Sequence, residues 1–292
     1  MNSSAIMRRP GAALRELVRY VRLHFQDLNV LARRYRTLPR VEGDAPLWVS
    51  LTTLPSRIGR LGPALRSLLD QEVRADGIRI NLPEFSRREK VGYEIPDFLS
   101  RLDCLTVCPC AEDWGPLTKL MPALIDLKDQ PEARIVVVDD DTIYPKTLLS
   151  ALGRASAERP NSAICMRGWK VPSENRHANR RYIQASDCDR LSPVEIVQGA
   201  SGFLVRAGFL PPDSLRDPQA PPEAFYVDDI LVSGTLAKRG VPRLVPPSEV
   251  AFVRIGSMRS WGTPSLVHGE NLDGHNNNTL YHYFSDHWQL RD

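Results

Sequence analysis

Arg134-Ile-Val-Val-Val-Asp-Asp-Asp141 is the stretch on which the reading of this chain turns. Its apolar part, ending at Val138, has the length and β-branched composition of a fully buried strand. Three carboxylates follow without a break. Left alone they repel one another, so this placement asks for something that neutralises them. In open α/β sheets ligands bind outside the carboxyl ends of strands, which is where these acids fall.

Outward from that stretch, strands and helices alternate. Trp48-Val-Ser-Leu51, Ile78-Arg-Ile-Asn-Leu82, Leu105-Thr-Val-Cys108 and Ser162 to Met166 read as strands. Leu61–Leu69, Leu117–Leu127, Tyr144–Glu158 and Leu231–Arg239 read as helices. The alternation predicts an α/β fold with a mostly parallel, doubly wound sheet flanked by helices. The 24 prolines, with clusters at Pro211-Pro212, Pro221-Pro222 and Pro246-Pro247, mark long loops in the second half, where sites are commonly built.

With 292 residues, 42% hydrophobic and 25% charged, the composition excludes a disordered chain and a multi-span membrane protein. The net charge of +3 conceals a division. Residues 1–40 hold nine arginines against Glu16 and Asp27, a local +7 that leaves −4 for the remainder. Residues 11–36 read as one amphipathic helix with Leu14, Leu17, Val18, Val21, Phe25, Leu28 and Leu31 on a stripe. Such a helix either docks on the body by that stripe or lies on an anionic membrane surface. Residues 1–45 are therefore expected to form a basic arm and linker. Residues 46–292 are expected to be the catalytic unit, divided near residue 160. Ala5-Ile-Met7 is too short for a secretory signal and no 18-residue apolar run occurs. With five cysteines lacking zinc-knuckle spacing, the expected location is the cytoplasm, or the cytoplasmic face of the inner membrane. No nucleic-acid partner is expected.

The chemistry concentrates in two acidic sites. A divalent metal suits Asp139-Asp140-Asp141, and hard carboxylate oxygens suit Mg2+ or Mn2+. Alternation would place Asp139 and Asp141 on one side and Asp140 on the other. The competing explanation is helix capping by Asp141 ahead of Thr142–Leu149, which needs only one acid. The second site, Tyr226-Val-Asp228-Asp229-Ile-Leu, is equally compatible with the start of a helix. Between them lies the small-residue turn Gly199-Ala-Ser-Gly202, where backbone can approach a ligand closely. P-loop, H-E-x-x-H and G-x-G-x-x-G patterns are absent, which argues against an ATPase, a zinc protease or a Rossmann dehydrogenase.

Taken in order, these segments resemble the GT-A superfamily of nucleotide-sugar-dependent glycosyltransferases, over about Leu47 to Phe284. The resemblance implies that Thr52, Thr53 and Arg57, after the first strand, contact the nucleotide. It implies that Asp139 and Asp141 of a D-x-D motif hold the metal, with Asp140 at the cofactor. Gly199 and Gly202 shape the sugar site, and Val227-Asp228-Asp229 matches an x-E-D motif with Asp in place of Glu. Asp229 is then the base and Asp228 orients the acceptor; a C-terminal histidine, His275 in preference to His268, completes the metal shell. Asp113-Trp-Gly-Pro-Leu-Thr-Lys119 is similar to a segment of bacterial members, which adds Asp113 and Lys119 to the nucleotide-sugar site. The implied acceptor is a saccharide or lipid-linked saccharide, in bacterial polysaccharide or glycolipid biosynthesis. Inversion is favoured, although the two acidic runs also resemble retaining exostosin-like hexosaminyltransferases. The rival functions are a sugar nucleotidyltransferase, whose usual glycine-rich loop is missing from Thr52–Arg57, and a non-catalytic interaction protein.

Overall fold

The computed structural model describes residues 10–248, 255–256, 266 and 269–289. His268 and Trp261 lie outside the described residues. The main sheet has eight strands: β1 (Leu47–Thr52), β2 (Gly77–Pro83), β3 (Leu105–Cys110), β4 (Arg134–Val137), β5 (Ala163–Cys165), β6 (Ser192–Pro193), β7 (Phe203–Arg206) and β8 (Arg243–Val245). Their spatial order is β6-β8-β5-β7-β4-β1-β2-β3. Four of the seven pairings are parallel, and β7 runs antiparallel to both of its neighbours. The mostly parallel α/β sheet flanked by helices is therefore present.

The helices used below are α1 (Pro10–His24), α2 (Leu28–Thr37), α3 (Gly62–Leu69), α4 (Met121–Asp126), α5 (Leu148–Glu158), α6 (Asp228–Lys238) and α7 (His275–Tyr283). Every residue of β4 is buried, as its apolar run requires, and Leu47, Val49 and Leu51 of β1 are fully buried beside it. Each such side chain contributes roughly 1.5–3 kcal/mol by leaving water. This centre of the sheet is the rigid floor on which the loops at its carboxyl edge stand.

The register explains which loops meet. Ser50 of β1 pairs with Val137 of β4 in parallel, so Thr52-Thr53 and Asp139–Asp141 emerge side by side. Phe203 of the antiparallel β7 also pairs with Val137, so the loop Gly199–Gly202 enters at the same edge.

Several expectations are corrected. The arm is two helices: the chain turns at Phe25–Asp27, where the Asp27 carboxylate accepts the N–H groups of Asn29 and Val30 and caps α2. Only the α2 end of the apolar stripe docks on the body, through Leu31 with Leu28 packed beside it. Leu14, Leu17, Val18, Val21 and Phe25 are exposed, whereas Arg19 and Leu23 are buried against the body. The segment after α2 is pinned: the Val41 N–H donates to the Arg74 carbonyl at 2.9 Å, and Arg134 donates to the carbonyls of Glu42 and Ala45. The stretch Leu117–Leu127 divides into a 3-10 turn, Gly115–Lys119, followed by α4. Thr142–Ile143 is a short strand and the next helix, α5, starts only at Leu148 after Thr147. Asp141 is thus not a helix cap.

Candidate functional site

A cavity of about 520 Å³ opens at the carboxyl edge of β1 and β4. Such a volume suits a small-molecule ligand. Thr52, Thr53, Arg57, Asp113, Lys119, Asp139, Asp140, Asp141, Asp228 and Asp229 all line it. Residues separated by up to 177 positions are thus gathered into one space.

Lys119 is the hub. Its carbonyl accepts the Ser50 hydroxyl at 2.6 Å, which ties the turn Gly115–Lys119 to β1. Its buried ammonium lies 2.6 Å from Asp139 Oδ1 and 2.8 Å from Asp228 Oδ2, joining the two acidic sites. Burial opposes the charge on this lysine, but Asp139, Asp228 and Asp229 outweigh it and hold its pKa well above the ordinary value. Arg57 serves the other acids, at 3.2 Å from Asp140 Oδ1 and 3.7 Å from Asp141 Oδ2. The Thr53 hydroxyl donates to Asp140 Oδ2 at 2.6 Å. Burial, with Asp141 and Asp139 nearby, pushes the Asp140 carboxyl up to about 6 despite Arg57 and Thr53. The simple alternation of the three acids is corrected by this arrangement. Extended structure ends at Val137, Asp140–Asp141 turn, and the pair sharing a cation is Asp140 with Asp141.

Asp228 and Asp229 begin α6, with Val227 at the cap position and no side chain capping the helix. Asp229 Oδ1 accepts the Gly199 N–H at 2.9 Å. A Cβ on Gly199 would stand 2.6 Å from Lys119 Nζ and 3.2 Å from Asp229 Oδ1, so only glycine lets this backbone so close. Burial and the adjoining Asp228 push the Asp229 carboxyl up to about 7, against the pull of Lys119. A carboxyl that changes protonation near neutral pH is suited to accept a proton from a substrate hydroxyl.

Other residues occupy different places. Gly202 adopts φ +83° and a Cβ there would meet Leu148 at 2.9 Å; its demand is conformational and it does not line the cavity. Asp113 lines the cavity, but its oxygens hold loops together by accepting the N–H groups of Arg87 and Gly115, each at 2.7 Å. The Thr52 hydroxyl donates to the Asn81 carbonyl at 2.8 Å. His275 begins α7 with its Nε2 3.5 Å from Glu223 Oε1; Gly274 and Asn277 line the cavity and His275 does not.

Among the described residues, no group of three or more His, Cys, Asp or Glu side chains is placed to hold a metal ion. Asp139 faces Lys119 and Asp140 faces Arg57, while Asp141 keeps the looser contacts, including a 3.4 Å approach from the Thr142 hydroxyl. This donor set does not fit an all-protein cage. It fits a hard divalent cation held by one or two carboxylates and completed by phosphate oxygens and water.

Motif reasoning missed a further part of the cavity lining, Trp169, His177, Arg180 and Tyr182. The Trp169 indole N–H donates to the Tyr281 hydroxyl at 2.7 Å, and that hydroxyl lies 2.9 Å from His177 Nδ1. Burial and Arg180 push His177 down to about 3, so the ring is neutral at physiological pH. Arg180 lies 5.2 Å from the Tyr182 ring centroid, within cation–π range. The late histidines drew attention instead, and nothing in the sequence near His177 singles it out. Tyr281 and Trp288 are core residues, and the Tyr283 hydroxyl donates to Asp217 at 2.7 Å.

Fold and site together define an α/β protein with a mostly parallel central sheet and an acidic cavity at the carboxyl edge of that sheet. No family model and no curated protein matches the sequence. Among solved structures, it is similar to a 4-diphosphocytidyl-2C-methyl-D-erythritol synthase, with a TM-score of 0.45 and 11% identity over 75% of this chain and 96% of that one. It is also similar to GalNAc-T7 solved with UDP, GalNAc and Mn2+, with a TM-score of 0.48 and 11% identity over 70% of this chain. The chain spans 43% of the length of that protein.

Proposed function

We propose that this protein is a nucleotide-sugar-dependent glycosyltransferase. The observation that carries the proposal is the junction of the two acidic sites, with Lys119 bridging Asp139 and Asp228 inside one cavity beside Asp229. Four carboxylates there, those of Asp139, Asp140, Asp141 and Asp228, share Lys119 and Arg57 as ion-pair partners and Asp229 stands beside them, an excess of negative charge in which a diphosphate needs a further cation. Asp141, with Asp139 as second donor, would hold Mg2+ or Mn2+; the bound ion would stabilise negative charge on the leaving diphosphate.

The protein groups have distinct roles in this proposal. Arg57 and Lys119 fix the acids around the diphosphate. Asp229, in its ionised form, takes the proton of the acceptor hydroxyl. The acceptor oxygen then bonds to the anomeric carbon while the bond from that carbon to the diphosphate breaks. The electron pair departs with the nucleoside diphosphate, and configuration at carbon inverts. Asp228, held by Lys119, orients the acceptor. The part of the cavity lined by His177, Arg180 and Tyr182 would receive a saccharide or lipid-linked saccharide. Synthesis of a bacterial polysaccharide or glycolipid, in the cytoplasm, is the role that suits such chemistry.

The test is a screen of nucleotide sugars and saccharide acceptors with Mn2+, followed by analysis of the released product. Glycosyl transfer releases a nucleoside diphosphate and inverts the anomeric centre, which NMR of the product reads. Pyrophosphate release from a nucleoside triphosphate and a sugar phosphate would instead show a nucleotidyltransferase. Failure to bind any nucleotide or metal would favour a non-catalytic role.

A further inference from the structure

Helix α1 wears its apolar stripe on the outside. Leu14, Leu17, Val18 and Val21 fall at i, i+3, i+4 and i+7, and are 62%, 53%, 60% and 51% exposed. Phe25 prolongs the same stripe and is 82% exposed. The opposite face is already committed to the body. Leu23 is buried, and Arg19 Nε lies 2.8 Å from the fully buried Asp70 carboxylate. Arg19 also donates to the Tyr144 carbonyl at 2.8 Å. On α2, Arg34 reaches Asp70 at 2.9 Å while Leu31, Ala32 and Tyr35 pack into the core. The stripe is therefore held outward by contacts behind it and is not awaiting a place in this fold.

Charge identifies the occupant. The exposed Arg15 lies beside the stripe, as does Arg22, which also reaches Asp70 Oδ2 at 3.4 Å, and the exposed Arg33 follows on α2. An apolar band edged by arginines is the arrangement with which a helix lies in the plane of an anionic lipid surface. Among the described residues no helix is long and apolar enough to cross a membrane, which matches lying on one. The apolar area is on the order of 500 Å², within the range of the largest, commonly functional patch on a monomer and below the roughly 800 Å² per partner of a stable protein interface. We propose that the outer face of α1 docks this protein on a bilayer rich in anionic phospholipid.

The experiment is flotation of the full chain with vesicles of phosphatidylcholine alone or mixed with phosphatidylglycerol, in low and high salt. The wild-type chain is expected to float with the anionic vesicles at least about tenfold more tightly than with neutral ones, and less well as salt rises. The triple variant L17S/V21S/F25S should lose at least about tenfold in vesicle affinity with unchanged melting temperature, since all three side chains are exposed. The double variant R15Q/R33Q should bind anionic vesicles about 25-fold more weakly and neutral ones unchanged. Wild-type protein that ignores vesicles, or a triple variant that floats as well as wild type, would overturn the proposal. A soluble wild-type dimer that the triple variant converts to monomer would overturn it in favour of self-association.

Discussion

The ammonium of Lys119 sits 2.6 Å from Oδ1 of Asp139, and this buried contact couples an acid from the end of β4 to the turn that follows β3. The same nitrogen holds Asp228, so the lysine sets the charge balance of the whole cavity. Replacing Lys119 by Met is expected to lower kcat/KM by about 100-fold or more, the scale of losing one preorganised charge at a reacting centre. Because Lys119 pulls the Asp229 proton affinity down, the variant's pH–rate midpoint should also move upward. A midpoint that stays in place would separate the lysine from Asp229.

The pH dependence has a definite sign. Asp229 is pushed up to about 7, so the base form grows as pH rises and kcat/KM should climb to a plateau above that value. Asp229→Asn should remove the climb and cost about 10²–10⁴-fold in rate. The same shift acts oppositely on stability. The folded carboxyl keeps its proton above the unfolded value of 3.8, so its contribution is full below that pH and is lost as pH rises through about 7. Thermal melting across that range, compared between wild type and Asp229→Asn, reads the difference.

Metal dependence should be tied to the nucleotide. With Asp139 and Asp140 facing Lys119 and Arg57, Mn2+ alone is expected to bind weakly, and markedly more tightly with a nucleoside diphosphate present. Chelation should abolish transfer, and Mn2+ or Mg2+ should restore it. Asp139→Ala and Asp141→Ala should each abolish activity without unfolding the chain. Calorimetric titration of Mn2+ with and without nucleotide gives the direct comparison; equal affinities in both would contradict this account.

Asp70 is expected to govern the docking of the arm. Its carboxylate is fully buried among Arg19, Arg22 and Arg34, and Asp70→Ala leaves those cations without it. Loss of one partner from a buried ion pair costs about 3–5 kcal/mol, which urea unfolding would register as a lower midpoint. Protease cleavage near Phe25–Asp27 should accelerate at the same time.

Gly202→Ala tests a purely conformational demand. At φ +83° and ψ 131°, an alanine is strained by about 1–3 kcal/mol, and its Cβ also meets Leu148 at 2.9 Å. The variant should melt earlier than wild type while keeping nucleotide affinity. Gly199→Ala should weaken nucleotide affinity as well as lower the melting temperature, since its Cβ crowds Lys119 and Asp229.

The fold was legible because its signals are local. The apolar run before Asp139 could only be a buried strand, and the strands at β1, β2, β3 and β5 were visible within two residues of their ends. The acids Asp139–Asp141 and Asp228–Asp229 stood out because charge next to apolar sequence is costly without a use. What misled was also local. A continuous 3.6-residue pattern ran through Phe25–Asp27, where the cap at Asp27 starts a second helix. Nothing in the spacing of Arg19 announced that it, and not Leu17, would turn inward. Its partner Asp70 is 51 residues away.

By itself, then, the sequence determined the kind of sheet, the positions of the acids at its edge and the unequal distribution of charge between arm and body. These follow from hydrophobic periodicity and composition, which act over a few residues at a time. Only the tertiary structure decided that Lys119 joins the two acidic sites, that His177, Arg180 and Tyr182 line the same cavity, and that α1 shows Leu14 and Leu17 to the outside. Those outcomes depend on which distant groups become neighbours when the strands take their register. Charge pairing and close approach are properties of distance in space, and distance along the chain does not encode them.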